Sequence, residues 1–306
     1  MRAVITGAAG FVGQHLERFL SGAGDEVVAI DRDHDVTDSD DLCRTFEAAA
    51  PDCVYHLAAL SHVGTSWENP DAVLRVNVLG TSAVVSAARE VAPAALVIVV
   101  SSAEVYGIVG PHELPLSERS EVRPASPYAA SKAAAEPVAL QAWRGYGQRV
   151  IVVRPFNHIG PGQAPTFFVP ALARRLVAAR ANGVREVIVG DLSTRRDFTD
   201  VRDVVRAYRL LAIRGAAGEV YNVCSGVDVA MSDVAARLAA IAHPDAVFVD
   251  DPSLHRPVDV PVLRGDPRRL REATGWSPEI ELDRTLRDVV EEASDSMSFS
   301  PESATN

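Results

Sequence analysis

Cysteine is scarce in this 306-residue chain, with Cys43, Cys53 and Cys224 standing far apart. Three scattered thiols exclude a disulfide frame and a cysteine-built zinc site, and they suit buried positions in a reducing compartment. Positive charge is also in deficit, with 30 Lys and Arg against 41 Asp and Glu, a formal net charge of −11. An acidic chain repels a phosphate backbone, so nucleic acid is an unsuitable partner. The acidity itself reads as solubility. Long apolar runs are missing too. The longest, Ala94 to Val100, is too short to span a bilayer. Met1-Arg2 and the apolar residues behind them imitate an export signal, but Gln14, His15, Glu17 and Arg18 interrupt the core such a signal needs. These absences predict a cytoplasmic protein with no membrane partner and no metal site.

A hydrophobic fraction of 47% is ample for a packed core. Arg2 to Thr6, Glu26 to Ile30, Cys53 to Leu57, Ala94 to Val100 and Val150 to Val153 read as strands. Between them, helical spacing marks Phe11 to Leu20, Ser39 to Ala49, Asp71 to Glu90 and Tyr128 to about Arg144. Such alternation predicts an α/β fold, a doubly wound parallel sheet of Rossmann type over residues 1–154. After Arg154 the pattern loosens around Pro155, Gly160, Pro161, Gly162 and Pro165. Helices are expected at Val169 to Ala181, Val201 to Arg214 and Met231 to Ile241, with strands at Val187 to Val189 and Tyr221 to Val223. Residues 155–293 form a smaller mixed α/β region, part of which returns to the first sheet. Ser294 to Asn306, rich in Ser, reads as a loose tail.

Gly7-Ala8-Ala9-Gly10-Phe11-Val12-Gly13 follows a strand and opens a helix. Glycines there let the backbone approach a pyrophosphate, and the helix N-terminus offers free N–H groups and partial positive charge. An ordinary strand–helix turn uses the same residues, so the second strand's terminal Asp31 matters. Its carboxylate suits the ribose hydroxyls of an adenosine and repels a 2′-phosphate, favouring NAD(H) while NADP(H) stays open. Arg2 and Arg32 are candidate phosphate partners. Asp35 and Val36 meet the adenine or lie in a solvated loop.

Tyr128 and Lys132 stand at i and i+4 on one helix face. A free phenol has a pKa of about 10. A neighbouring ammonium is expected to favour the phenolate and bring the group towards a working pH. Ser102, closing an apolar strand, is placed to hydrogen-bond a reacting oxygen. Together the three point to hydride transfer at an alcohol or ketone carbon.

Several segments carry a resemblance: Thr6 to Gly13, His56-Leu57-Ala58-Ala59, Ser101-Ser102-Ala103-Glu104-Val105-Tyr106-Gly107, Ser126-Pro127-Tyr128 to Lys132, and Arg256-Pro257-Val258-Asp259. Jointly they resemble the extended short-chain dehydrogenase/reductase family that modifies nucleotide sugars. The resemblance implies a Rossmann-type domain and a sugar-nucleotide region with catalysis between them. It implies Ser102, Glu104, Tyr128 and Lys132 as catalytic residues. Gly7, Gly10, Phe11, Val12, Asp31, Asp35, Val36, Leu57, Ala58, Ala59, Tyr128, Lys132 and Pro155 would meet the cofactor. Ser66, Ser102, Asn157, Val169, Arg196, Arg256 and Asp259 would meet the substrate.

A narrower likeness rests on Arg154-Pro155-Phe156-Asn157-His158-Ile159-Gly160-Pro161-Gly162-Gln163, with Arg196-Asp197-Phe198 and Thr274 to Ile280 in support. It points to members that reduce C4 of a GDP-4-keto-6-deoxy-hexose to the GDP-6-deoxy-D-mannose product. The 4,6-dehydratases resemble S-T-D-E-V-Y-G where this chain has Ser101 to Gly107. Ala103 therefore stands where their proton-donating Asp would be. Leu60-Ser61-His62-Val63 and Ser66 look dehydratase-like, so a 4,6-dehydratase of GDP-mannose type, or a 4-epimerase with tightly bound NAD(P), stands as the alternative. A two-fold homodimer is implied through Ala83, Ala87, Ala88, Ala133, Ala134 and Ala135, residues that tight packing on the chain's own sheet would equally use.

Overall fold

The structure, a computed structural model, describes residues 1–254 and 260–298. Its first half alternates β1 (Arg2–Thr6), α1 (Phe11–Gly22), β2 (Glu26–Ile30), α2 (Ser39–Ala49) and β3 (Cys53–His56). Two short helices, α3 (Val63–Ser66) and α4 (Pro70–Leu74), lead to α5 (Gly80–Val91), β4 (Leu96–Val100), α6 (Pro127–Tyr146) and β5 (Val150–Pro155). The second half holds β6 (Asn157–Ile159), α7 (Phe168–Ala181), β7 (Glu186–Val189), β8 (Arg195–Asp200), α8 (Val201–Arg214) and β9 (Val220–Val223). It closes with β10 (Asp228–Ala230), α9 (Met231–Ala242), β11 (Val247–Asp250), β12 (Val262–Leu263), α10 (Arg268–Thr274) and α11 (Leu282–Ser298).

Six parallel strands form the main sheet in the order β2-β1-β3-β4-β5-β9. β-Branched and other apolar residues fill β4 and β5, which are buried on both faces as a helix-covered parallel sheet requires. Successive side chains alternate between two cores. Ala3 and Ile5 pack with Leu16, Tyr208 and Trp276 on one face. Val4 packs with Phe46, Val84 and Leu140 on the other. The strand order reverses between β1 and β3, which opens a crevice at their carboxyl ends. β8 organises the second region, pairing with β6, β10 and β12. A separate core joins α7, α9 and α11 through Leu176, Leu238 and Leu286.

Three departures from the sequence-based expectations have physical causes. The helix expected from Asp71 to Glu90 is interrupted by a π-helical turn at Arg75–Leu79. The turn presents buried Asn77 to the chain after β3, where its Oδ1 accepts from Leu60 N (2.9 Å) and its Nδ2 donates to Leu60 O (3.2 Å). The same Nδ2 donates to Ser131 Oγ on α6 at 2.8 Å. The tail expected from Ser294 is helical as far as Ser298, because Leu286, Val289, Val290 and Ala293 anchor α11 in its core. Ala83, Ala87, Ala88 and Ala135 are buried within the chain itself, so they are not a free dimer face. Among the described residues Pro70–Val91 is the one helical run long and apolar enough, by composition, to cross a bilayer. Its residues Val73, Ala83, Val84, Val85, Ala87 and Ala88 are buried in the chain, as in a core helix.

Gly13 fixes how closely α1 approaches β1. A Cβ there would lie 2.3 Å from Gly7 O and 2.6 Å from Ala8 O, both backbone atoms that cannot swing aside. Gly13→Ala is expected to destabilise the chain by about 1–3 kcal/mol, read as a lower urea midpoint. An unchanged midpoint would refute this account of the turn.

Candidate active site

The turn after β1 is shaped by two different glycine requirements. Gly7 adopts φ +75° and abuts the loop after β3, where a Cβ would lie 2.7 Å from Ala58 N. At Gly10 a Cβ would meet only Gly7 O, at 3.1 Å, so its outer side is open to an approaching group. The first turn of α1 carries no acidic residue and no side-chain cap. The amides of Phe11 and Val12 have no acceptor among the described residues. Free donors at the positive end of a helix, beside an open backbone surface, fit a pyrophosphate. Asp31 is held beside this turn: its carboxylate accepts from Ala9 N at 2.8 Å and Arg32 N at 2.9 Å. Val36 packs on Gly80, where a Cβ would lie 2.9 Å from Val36 Cγ2. Asp35 accepts from Thr37 N and Thr37 Oγ1, which hold its carboxyl below the usual carboxylate range.

With the His56 ring neutral, the buried chain of polar groups beneath the turn has one consistent set of hydrogen positions. Thr81 Oγ1 donates to Asn77 O (2.7 Å), so it accepts from His56 Nε2 (3.1 Å). His56 Nδ1 then accepts from Thr6 Oγ1 (2.8 Å), which in turn accepts from Ala58 N (3.3 Å). Leu57 N donates to Thr6 O at 3.1 Å. The segment Leu57 to Ala59 is thus tied to β1 and, through Asn77, to α6. Burial, followed by the Lys132 charge, pulls His56 down to about 3, so the ring is neutral.

Tyr128 lies in the first turn of α6, behind an N-cap in which Ser126 Oγ accepts from Ala129 N, and with Pro127 at the first helical position. The Ser102 hydroxyl lies close enough to the phenol to act on its pKa. Ser102 Oγ also accepts from Glu104 N at 3.2 Å. Burial pushes Tyr128 up to about 12; the Ser102 hydrogen bond opposes this and the Glu104 charge adds to it. Lys132 Nζ donates to Val100 O at 2.7 Å, and burial draws the ammonium down to about 8, against the pull of Glu136. The lowering of the tyrosine by the lysine, expected from their spacing, is not found. Burial dominates the phenol, and the ammonium is engaged by a strand carbonyl.

Pro155 ends β5 and is buried. Asn157, on β6, has a buried Oδ1 without a partner, an acceptor suited to a ligand hydroxyl. Gln163 Oε1 and Thr199 Oγ1 are likewise buried and unpartnered, and no sequence signal marks either as a site residue. His158 stacks on Phe11 with ring centroids 6.1 Å apart and planes 6° apart. Its Nδ1 donates to Phe156 O, and burial lowers its pKa, so it serves as a wall. Val169 is buried in the core of α7. Arg196 is buried, with its Nη1 donating to Arg195 O (2.9 Å) and Val260 O (2.6 Å). Ser66 departs from expectation. It is 1% exposed and its hydroxyl donates to Val63 O, so it faces its own turn and no open space. Arg256 and Asp259 lie outside the described residues.

Residues 32–289 match the GDP-mannose 4,6 dehydratase family. The chain belongs to that family, within the extended short-chain dehydrogenases/reductases, and is a nicotinamide-dependent enzyme of nucleotide-sugar chemistry. It is similar to the GDP-6-deoxy-D-mannose reductase of Pseudomonas aeruginosa, 38% identical over 293 residues, covering 94% of this chain and 96% of that protein. It is also similar to the UDP-glucose 4-epimerase of Mycolicibacterium smegmatis, 33% identical over 318 residues, covering 95% and 98%. The solved structure of RMD from Pseudomonas aeruginosa complexed with NADPH superposes with a TM-score of 0.89 at 36% identity, covering 97% of this chain and 100% of that one.

The buried His56 makes a pH prediction. Its folded pKa lies below the unfolded value, so its contribution is complete above about pH 6.5 and is lost as pH falls towards 3. The limiting slope is about 1.4 kcal/mol per pH unit. Between pH 6 and 4, wild-type stability in urea should fall more steeply than that of His56→Asn. Parallel slopes would show that the ring takes up its proton in the folded state.

Proposed function

We propose that this chain reduces C4 of a GDP-4-keto-6-deoxy-hexose with a reduced nicotinamide, giving GDP-6-deoxy-D-mannose (GDP-D-rhamnose). The observation that carries the reading is a buried phenol at Tyr128 that keeps its proton, with the Ser102 hydroxyl acting on it, together with an alanine at position 103. A ketone reduced to an alcohol needs a proton for its new alkoxide. A phenol held at about 12 keeps that proton across the physiological range. Loss of water from C6 needs an acid next to Glu104, and the methyl group of Ala103 cannot be one.

When bound, the reduced nicotinamide supplies the hydride. Gly7, Gly10, Phe11 and Val12 would hold its pyrophosphate, Asp31 its adenosine ribose with Asp35 and Val36 near the adenine, and Leu57, Ala58, Ala59 and Pro155 the nicotinamide half. The carbonyl oxygen would sit against the Ser102 and Tyr128 hydroxyls. Tyr128 gives its proton to that oxygen, and Ser102 orients it. Lys132, fixed by Val100 O, places positive charge where negative charge develops. Glu104 orients the sugar, Asn157 Oδ1 accepts one of its hydroxyls, and Val169 with Arg196, Arg256 and Asp259 forms the nucleotide arm. Asp31 favours NADH, while the exposed Arg32 beside it accommodates a 2′-phosphate, so both reduced cofactors serve. The likeness to a GDP-sugar reductase supports guanine as the base. The half-exposed Leu74 and Leu79, five residues apart across the π turn, support a homodimer.

The purified protein should oxidise NADPH or NADH only when the GDP-4-keto-6-deoxy sugar is supplied, with the product identified by NMR. Tyr128→Phe should lower kcat by roughly 10²-fold or more. Conversion of GDP-mannose alone, or of UDP-glucose to its epimer, without net cofactor use would replace this reading with the dehydratase or the epimerase.

A further inference from the structure

The face of α6 that carries Tyr128 and Lys132 has a third member one turn further on. Tyr128, Lys132 and Glu136 stand at i, i+4 and i+8, so they share one side of the helix. Each is held by one of three consecutive residues at the end of β4. Ser102 is the hydroxyl that acts on Tyr128, Val100 O accepts from Lys132 Nζ, and Ser101 Oγ donates to Glu136 Oε1 at 2.5 Å. Arg154 on β5 completes the arrangement. Its Nε donates to Glu136 Oε1 (2.8 Å) and its Nη2 to Glu136 Oε2 (2.6 Å). Its Nη1 donates to Tyr106 OH (3.0 Å), which donates to Asn222 Oδ1 (2.7 Å) on β9. Glu136 is 4% exposed and Arg154 5%.

A buried ion pair is a poor way to stabilise a fold, since well-packed apolar residues do as well or better. Its retention here, in register with the reacting groups, asks for another purpose. The sequence adds an independent observation: Lys132 is the only lysine in the chain, and every other Lys-or-Arg position is arginine. An ammonium on a flexible stem, unlike a guanidinium, needs its surroundings to fix both its place and its charge.

We propose that Glu136 is a positioning residue for the tyrosine–lysine pair, locking α6 in register with the end of β4 and standing one turn from Lys132 as the carboxylate on its own helix face. It reaches Tyr128 only through Ser101 and the helix. Burial already draws Lys132 down to about 8, and Glu136 is the group that opposes this. Of the other titratable groups, His56 on β3, held neutral, feels the Lys132 charge, Tyr128 stands one turn earlier on α6, and Arg154 on β5 is committed to Glu136. The kinetic part of the proposal rests on the hydride-transfer reading above, whereas the charge of Lys132 can be followed without any substrate.

The test uses the full chain labelled with 13Cε-lysine, whose single lysine gives one signal reporting the Lys132 titration. In Glu136→Gln the midpoint should move to lower pH, and kcat should fall roughly tenfold to a hundredfold, as for a misplaced reacting group. KM for the cofactor should change less than about twofold, and the basic limb of the kcat–pH profile should move with the midpoint. The double variant Glu136→Leu/Arg154→Met removes the pair while filling its space, and should keep the melting temperature yet show the lowered kcat, with a midpoint that moves less than in Glu136→Gln because the Arg154 charge leaves with the carboxylate. Glu136→Asp, which keeps the charge but shortens its reach, should lower kcat with a nearly unmoved midpoint. A folded double variant with wild-type kcat would overturn the proposal. So would a Glu136→Gln variant whose lost activity is explained by its unfolded fraction alone. If the midpoint moves while no tested sugar nucleotide is reduced, the positioning stands and the assigned reaction fails.

Discussion

The seating of α6 on the carboxyl end of β4 is the contact on which the site depends. β4 is apolar from Leu96 to Val100 and buried, so it has no freedom to slide without exposing its core. Polar side chains begin abruptly at Ser101, where the strand leaves the sheet and meets the helix. Hydride chemistry demands that a proton donor and a carbonyl be held within tenths of an ångström. Here a rigid strand supplies that reference and the helix is indexed to it. Burial of the phenol follows from the same seating, and so does its retention of a proton.

The crevice between β1 and β3 obeys a related logic. Backbone that must approach a ligand closely cannot also be covered by side chains, so its own polar groups need partners from below. Thr6, His56 and Thr81 provide them in one continuous hydrogen-bonded series ending on Asn77 O. The π turn that presents Asn77 joins this series to the loop after β3 and, through Ser131, to α6. Turns of this kind often mark functional sites, because the additional residue redirects a side chain that a regular helix would aim elsewhere. The glycine turn after β1 and α6 are thereby parts of one buried polar framework.

Much of this site is legible in the amino-acid sequence. Glycine spacing after a short apolar strand, an acidic residue closing the next strand, and Tyr128 four residues before Lys132 are local patterns with local physical causes. What is not legible depends on groups distant in the chain. The spacing of Tyr128 and Lys132 suggests mutual influence, yet the ammonium turns to a strand carbonyl and burial governs the phenol. Ser66 stands in a motif that suggests a sugar contact, but its hydroxyl satisfies its own turn. β6 and β8 are short and mixed in polarity, so neither alternation nor apolar runs announce them, and Gln163 and Thr199 are hidden with them. The alanine stripe on α5 could face either the sheet or a partner, and only packing decides for the sheet. For α11 the signal is present, since Leu286, Val289, Val290 and Ala293 carry helical spacing.

β9 reaches the main sheet only after the chain has built β6, α7, β7, β8 and α8, and it pairs there with β5 from Val152↔Val220 to Pro155↔Val223. A fragment ending at residue 154 would therefore present β5 as a bare edge, apolar along most of its length and ready to recruit a neighbouring molecule. Any exchange of residues 155–293 for another region would have to carry this returning strand with it. Loops and short strands can change without disturbing that pairing, but the two halves of the chain must be made together.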